Sequence, residues 1–242
     1  GVDIQHRIRP SMDLAFSDQE CSLGMKQAQW KDLEQGYNVE WINGDMAREL
    51  VPWLSQKVSG AVYTEGVADV EPYRLILALT QACENLGVSI KHGEVTGLRT
   101  SKTTLQGVNT TGGIIDCGKV LLATGPWMGL CSVWLGIQIP ISPLKGQILR
   151  LDSPHTPINC SVGWKGNYAC TKPDGLIWAG TTEEYTGFDV SVTNSARDQI
   201  IGNLLHMLPA LDKARVVQQT ACLRPVSSDN KIILGDVSNV TG

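Results

Sequence analysis

The chain has 242 residues, of which 42% are hydrophobic and 18% charged, so it can bury the core of one large domain or two smaller ones. Its formal net charge is −4 and it has no run of Lys or Arg, which argues against a nucleic-acid-binding protein. No apolar run is long enough to span a bilayer, and the N-terminus lacks the apolar core of a secretion signal. We therefore expect a cytoplasmic protein without stable membrane insertion.

Cysteine and histidine give no sign of a metal site. The seven cysteines are dispersed and odd in number, and no C-x-x-C occurs. Metal clusters and disulfide frameworks need closely spaced or paired thiols, so reduced cysteines acting as small apolar residues are expected. The four histidines show no ligand spacing. His206 falls in a predicted helix, where a structural role is expected.

Two helices and a strand are predicted in the first part of the chain. Ser17 and Glu20 have the spacing of a capping box, and Gly36 is a plausible end for the helix that follows. Asn43 can cap a second, short helix. Residues 60–64 are typical of a strand.

The clearest helical pattern begins near Pro72, whose missing N–H costs nothing in a first turn. Its apolar positions fall on one face at helical spacing: Leu75, Leu79, Ala82 and Leu86. Gly87 suits the left-handed conformation that ends many helices. A strand over residues 88–91 should follow.

Residues 94–123 contain short alternating runs, which predict a small antiparallel meander. Gly107 and the pair Gly112–Gly113 would supply its turns. The segment ends in the apolar run 119–123, which leads into Gly125 and suits a buried strand of an α/β sheet.

The second half is rich in predicted strands, with a turn at 172–175 and a helix from a Thr193 cap to Leu208. The strands cover residues 146–151, 167–171, 176–180, 215–223 and 232–235. The element order indicates an α/β piece interleaved with an α+β piece.

Three positions are candidates for chemistry, each with an ordinary structural alternative. Gly125-Pro126-Trp127 ends an apolar strand, where a glycine permits either a close ligand approach or a simple tight turn. Arg224 follows an apolar strand and needs an anionic partner, which could be an internal Asp or Glu or the carboxylate of a substrate. Tyr168 lies in a predicted strand and could be a core or edge residue as readily as a ligand contact.

An ordered set of segments resembles one family, the D-amino-acid oxidase, glycine oxidase and sarcosine oxidase family of FAD-dependent oxidoreductases. Lys119 to Trp127, KVLLATGPW, is similar to the family's VVLAAGAW, and Pro143 to Leu149, PLKGQIL, to its PVRGQ. Further matches occur in the family's order at residues 66–75, 86–88, 94–98, 107–110, 180–184, 187–189, 208–210, 223–225 and 229–235. Each motif is weak alone, but the ordered set is specific.

The resemblance implies an α/β with α+β fold, in which an incomplete, Rossmann-like FAD-binding portion is interleaved with a substrate domain on a mixed, largely antiparallel sheet. Residues 1–65 and 141–225 would form the substrate domain. Residues 66–140 would be part of the FAD-binding domain, with a helix, a meander and a strand ending in Gly-Pro-Trp. Residues 226–242 would begin the return to that domain.

The resemblance also implies roles for particular residues. Arg224 and Tyr168 match an arginine and a tyrosine that bind the substrate carboxylate, and Glu183 occupies a position that lines the site. A second carboxylate-binding arginine of the family would follow Gly242. No side-chain general base is implied, so no catalytic residue is predicted.

The cofactor side of the site is implied in the same way. Val95 matches the position whose backbone touches the adenine of FAD. Ala123, Thr124, Gly125 and Trp127 match the segment that passes near the flavin. The family's G-x-G-x-x-G fingerprint, which holds the pyrophosphate at a helix N-terminus, would precede Gly1.

The implied activity is oxidation of the C–N bond of a small, carboxylate-bearing amine, with hydride transfer to FAD. Because both family hallmarks would lie outside these residues, we expect the chain to be inactive by itself. A non-catalytic binding or structural module without flavin is the alternative. Fusion to an RNA-modifying enzyme is disfavoured by the acidic charge. The sequence predicts no oligomeric state.

Overall fold

The fold is described by a computed structural model covering residues 1–32, 38–154, 157–237 and 240, without the side chains of residues 30–32. The predicted helix end at Gly36 lies outside the described residues. The chain divides into two compact units. The larger unit comprises Gly1–Leu86, Gly146–Thr182 and Ser191–Ala221, and the smaller unit Gly87–Lys145, Glu183–Val190 and Cys222–Gly242. The predicted four-part domain division stays a prediction.

Strands and helices alternate irregularly along the described residues. The strands are β1 (Arg7–Ala15), β2 (Val39–Asn43), β3 (Gly60–Asp69), β4 (Val95–Ser101), β5 (Thr104–Thr110), β6 (Gly113–Asp116), β7 (Ile141–Asp152), β8 (Ser161–Trp164), β9 (Asn167–Thr171), β10 (Ile177–Gly180) and β11 (Arg215–Ser227). The α-helices are α1 (Asp18–Asp32), α2 (Gly44–Leu50), α3 (Pro72–Asn85), α4 (Ser132–Leu135) and α5 (Asn194–Met207). Short 3₁₀ helices cover Gly125–Cys131 and Pro209–Lys213. No helix in these ranges is long and apolar enough to cross a membrane.

The larger unit is built on a sheet with the strand order β11-β7-β10-β9-β8-β1-β3-β2. β1 pairs with β8 in parallel, whereas β1 with β3, β2 with β3, β8 with β9, and β10 with both β9 and β7 are antiparallel. The predicted mixed, largely antiparallel sheet is therefore confirmed. β1, β2 and β8 were not predicted from the sequence.

Helix α5 covers one part of this sheet. The Thr193 side chain accepts a hydrogen bond from the Ala196 N–H at 3.2 Å, as its predicted capping role requires. Ile200, Leu204 and Met207 are buried in the same core cluster as sheet residues. Burying each such side chain stabilises the fold by roughly 1.5–3 kcal/mol, so the apolar stripe of α5 fixes the helix on the sheet.

The two N-terminal helices begin where the capping residues predict. The Glu20 N–H donates to the Ser17 hydroxyl at 3.3 Å, and the Glu20 carboxylate accepts from the Phe16 N–H at 2.8 Å. Asn43 accepts from the Met46 N–H at 2.9 Å. These side chains satisfy N–H groups that the first turn of a helix leaves without a partner.

The smaller unit contains the predicted meander, with strands β4, β5 and β6 antiparallel and adjacent in order. The turn at Gly112–Gly113 is confirmed, and Gly113 has a φ of +120°. The predicted turn at Gly107 is wrong, because Gly107 lies within β5 opposite Asp116. A side chain there would collide with the Ile115 carbonyl, so the glycine serves close strand pairing.

Three predicted strands are wrong: residues 88–91, 119–123 and 232–235 do not form strands in the structure. The strand expected to end in Gly-Pro-Trp is one of them. Leu121 is 85% exposed and Ile232 is 96% exposed. An apolar run becomes a strand only when a neighbour completes its hydrogen bonds, and none of the described strands pairs with these segments.

Helix α3 forms where it was predicted, although none of its residues is buried. Glu71 accepts a hydrogen bond from the Arg74 N–H at 2.7 Å, and Gly87 adopts a φ of +85° just beyond the helix. Local capping and propensity, rather than packing of its apolar face, therefore define the ends of α3.

Candidate functional site

An arginine–glutamate pair is the centre of the candidate site in the smaller unit. Arg224 lies near the end of β11, and its Nη2 is 3.7 Å from Oε1 of Glu183. The Arg224 side chain is 43% exposed and that of Glu183 is 68% exposed. Arg224 therefore has an internal acidic partner, which is one of the two alternatives that the sequence left open. A long, exposed ion pair of this kind contributes only about 0–1 kcal/mol, so a substrate carboxylate can compete for the guanidinium.

Backbone hydrogen bonds and ion pairs join the segment Glu183–Val190 to Lys145 of β7. The Lys145 N–H donates to the Glu184 carbonyl at 3.0 Å, and the Glu184 N–H donates to the Lys145 carbonyl at 2.9 Å. The Lys145 ammonium lies 2.7 Å from the Asp189 carboxylate and 3.4 Å from that of Glu184. The hydrogen bond to Asp189 raises the pKa of Lys145 against the opposing effect of burial, and Glu184 adds to the rise.

Tyr168 is placed in the larger unit, in β9. Its cross-strand neighbours are Gly163 in β8 and Gly180 in β10. Both neighbours are glycines, so Tyr168 has no cross-strand side chain directly opposite it. Tyr168 as a residue is half-buried, so it combines a backbone position within the sheet with partial exposure.

The predicted cofactor residues are all in the smaller unit. Val95 is the first residue of β4 and remains 41% exposed. Gly125 has a φ of +53°, and no atom lies within 4 Å of the place where a side chain would begin. The glycine therefore makes the tight turn that starts a 3₁₀ helix, and it also leaves open space beside the backbone.

Two further cofactor-side residues flank this turn. The Thr124 hydroxyl lies 3.7 Å from the Met128 sulfur and 3.6 Å from that of Cys131, which ties residue 124 to the 3₁₀ helix. Trp127 stacks on Phe188 with ring centroids 5.9 Å apart and stays half exposed. Ala123, which precedes Thr124, belongs to no strand or helix. The segment presents a flat aromatic face next to an open glycine backbone.

Two buried polar residues of the PLKGQ motif were not singled out from the sequence, and one of them, Lys145, contacts the segment that carries Glu183. Lys145 and Gln147 are both buried and alternate along β7, so they lie on one face of the strand. Gln147 accepts from the Thr193 N–H at 3.0 Å and donates to the Thr193 hydroxyl at 3.3 Å. A charged residue and an amide at alternating positions of an apolar strand were the available signal, because buried polar groups require partners.

A cleft of about 330 Å³ lies elsewhere in the smaller unit. Pro126, Ile139, Pro143 and Phe188 are among the residues that line it. Its lining mixes apolar and uncharged polar residues and includes neither Arg224 nor Glu183, so it lacks the charges that would recognise an amino acid. Among the described residues, no group of three His, Cys, Asp or Glu could hold a metal ion.

Comparison with known proteins identifies the class to which this architecture belongs. A family model described as FAD dependent oxidoreductase matches residues 1–241. The chain therefore belongs to this family of FAD-dependent oxidoreductases, as the sequence motifs predicted.

Individual relatives and solved structures agree with that assignment. Glycine oxidase from Pseudomonas putida is 33% identical over 198 residues, which are 81% of this chain and 54% of that protein. The crystal structure of glycine oxidase from Bacillus cereus superposes with a TM-score of 0.91 at 25% identity, covering 100% of this chain and 68% of that chain. L-proline dehydrogenase from P. horikoshii shares the fold, with a TM-score of 0.91 at 21% identity over 98% of this chain and 66% of that chain. The chain spans about half the length of the curated relatives it matches.

FAD is the cofactor of the family. The open backbone at Gly125 and the exposed ring of Trp127 fit a large, flat ring system. The 242 residues contain no G-x-G-x-x-G sequence that would cradle a pyrophosphate. The residues present thus fit the ring portions of FAD, whereas its phosphates would need other groups.

Proposed function

We propose that the protein containing this chain oxidises the C–N bond of a small amino or imino acid. The Arg224–Glu183 pair carries the proposal, because it presents a cation and an anion side by side on a half-exposed surface. A zwitterionic amino acid has the complementary arrangement of charges. Relatives named glycine oxidase support a small substrate of this class.

Arg224 binds the substrate carboxylate in this proposal. A guanidinium offers paired N–H donors that match the two oxygens of a carboxylate, which fixes the orientation as well as the position of the substrate. The substrate displaces one long, exposed contact with Glu183 and replaces it with shorter charged hydrogen bonds. Tyr168, in the larger unit, is proposed as a further substrate-binding residue through its hydroxyl group.

Glu183 lies at the edge of the site and attracts the amino group. Its side chain is 68% exposed, so it can turn towards a cationic amine without a large loss of packing. Holding both ends of a small substrate reduces its freedom to rotate. This restriction aligns the C–H bond that is to be broken.

The cofactor contacts are proposed for Val95, for the segment Ala123-Thr124-Gly125 and for Trp127. When bound, FAD supplies the hydride acceptor, and this chain supplies orientation of the substrate. Since the 242 residues include no glycine fingerprint for the phosphates, we propose that they do not sustain oxidation by themselves.

The domain division and the compartment are also proposals. Residues 1–65 and 141–225 would serve the substrate, and residues 66–140 and 226–242 the cofactor. All seven cysteines carry free thiols, which supports a location in the reducing cytoplasm.

A non-catalytic module without flavin is the second candidate, favoured by the lack of a glycine fingerprint in these residues. The two candidates differ in a simple experiment. The complete protein, purified with its flavin, is incubated with glycine, sarcosine, proline and D-alanine, and formation of the corresponding oxo acid or cyclic imine is measured. Turnover of at least one of these amines is expected. A complete protein that neither retains FAD nor converts any of them would support the module instead.

A further inference from the structure

Lys145 is an unusual residue for its position, because its side chain is only 1% exposed. A lysine is almost never fully buried unless it is paired, since removing an ammonium from water is costly. Here the ammonium has two acidic neighbours, Asp189 at 2.7 Å and Glu184 at 3.4 Å. One buried cation therefore joins two points of a single segment of the smaller unit.

The two acidic neighbours lie near opposite ends of the segment Glu183–Val190. Glu184 is also held by the pair of backbone hydrogen bonds to Lys145, at 2.9 and 3.0 Å. Asp189 lies five residues further on and is 45% exposed. Without the ammonium, the far end of the segment would lose its charged contact with β7.

The neighbouring carboxylates of Glu183 and Glu184 contact different cations. Successive side chains of an extended segment face opposite sides. The Glu184 carboxylate is directed to the Lys145 ammonium, and that of Glu183 to the Arg224 guanidinium. Fixing residue 184 on β7 therefore fixes residue 183 against Arg224.

We propose that Lys145 is a positioning residue for substrate binding, which acts through Glu184 and Asp189 to hold Glu183 beside Arg224. The inference rests on the proposed role of Arg224 in carboxylate binding. Lys145 itself touches no substrate. Its contribution is to keep the charged pair in one arrangement before the substrate arrives, which lowers the ordering that binding would otherwise require.

The test compares variants of the complete flavoenzyme by two readouts, the affinity for acetate by titration calorimetry and the split between KM and kcat. Lys145→Met keeps an unbranched side chain of nearly the same length and removes its charge, whereas Lys145→Arg keeps the charge. Lys172→Met is the matched control, because Lys172 is another largely buried lysine with an acidic partner, Asp69 at 2.9 Å.

Lys145→Met should weaken acetate binding and raise KM by about tenfold or more, since small displacements of a binding group have large effects. Lys145→Arg should recover most of the affinity. Lys172→Met should lower the melting temperature while leaving acetate affinity within about twofold of the wild type. A purely structural role would move the melting temperatures of both methionine variants and neither affinity.

If Lys145→Met does not fold, the acetate affinity of Asp189→Asn tests the role of Lys145 instead. This substitution removes one charged contact at a half-exposed position and should weaken acetate binding by about threefold to fivefold, the size of effect expected for a partly exposed ion pair. The inference is overturned if folded Lys145→Met binds acetate with wild-type affinity while Arg224→Ala binds it more weakly. If Lys145→Met does not fold, wild-type acetate affinity of Asp189→Asn overturns it on the same condition. If Arg224→Ala also binds acetate normally, or if the wild type binds none, the proposed carboxylate site itself fails.

Discussion

Replacing Arg224 with alanine should separate substrate binding from folding. The guanidinium has a long contact with Glu183, 3.7 Å, and both side chains are substantially exposed. Losing such a contact costs about 0.2–1 kcal/mol of stability. In a domain of this size that corresponds to a melting temperature lowered by less than about 4 °C.

The expected effect on the substrate is much larger. A hydrogen bond to a charged group is worth about 1.5–3 kcal/mol, which corresponds to roughly a 10- to 150-fold change in affinity. Because Arg224 binds the carboxylate in both the ground state and the transition state, KM should rise more than kcat falls. Steady-state kinetics of the complete flavoenzyme with its best amino acid substrate would measure both.

Arg215→Ala provides the matched control for this experiment. Arg215 also lies on β11 and forms an exposed ion pair, with Asp152 at 3.1 Å. It is 74% exposed and has no proposed role at the site. The control should leave KM unchanged. An Arg224→Ala enzyme that keeps wild-type KM for every carboxylate substrate would refute the assignment.

Three further predictions concern stability and thiol chemistry. Burial raises the pKa of Asp69, but the hydrogen bond from Lys172 and the charge of Arg9 outweigh burial and hold that pKa below its usual value. The ionised Asp69 therefore stabilises the fold above the ordinary carboxyl range, and this stabilisation is lost as pH falls through the lowered pKa. Thermal melts from pH 6 to pH 2 should show a smaller acid-induced loss of stability in Asp69→Asn than in the wild type. Burial raises the pKa of Cys160 to about 12, so its thiol should not react in the native protein at about pH 8. Mass spectrometry after iodoacetamide treatment should find Cys160 unmodified, and alkylation of Cys160 without unfolding would contradict its burial. Thr193→Ala removes the cap of α5 and should lower the free energy of unfolding by about 1–2 kcal/mol in urea melts, whereas Thr193→Ser, which keeps the hydroxyl, should not.

Local signals in the sequence were sufficient for much of the fold. Asn43 and Thr193 cap the helices that they were expected to cap, because a capping bond joins residues three positions apart. The turn before Gly175 has its expected hydrogen bond from the Gly175 N–H to the Lys172 carbonyl, 2.9 Å. These features depend on neighbouring residues, so a single sequence contains all the information that they need.

Non-local pairing marks the limit of such prediction. The run at 119–123 is as apolar as a buried strand, yet it pairs with none of the described strands. β1 was not predicted, because its alternation is weak and its partners, β3 and β8, are far along the chain. Strand identity depends on these partners as much as on the segment itself.

The same distinction applies to the candidate site. Arg224 was singled out because a charge at the end of an apolar strand needs a partner, but its partner Glu183 lies 41 positions earlier, a spacing that no local rule reveals. The resemblance to the oxidase family brought Glu183 and Tyr168 into consideration. Lys145 was quoted only as part of a motif, since its role depends on two carboxylates that follow it by 39 and 44 positions.

The most direct test of the proposed carboxylate site is a crystal structure of the complete flavoenzyme with acetate or a slowly oxidised amino acid bound. We expect the carboxylate oxygens to lie about 2.7–2.9 Å from the Arg224 guanidinium, the range of charged hydrogen bonds, with Glu183 displaced from the arginine. A carboxylate bound elsewhere, with the Arg224–Glu183 contact intact, would contradict it.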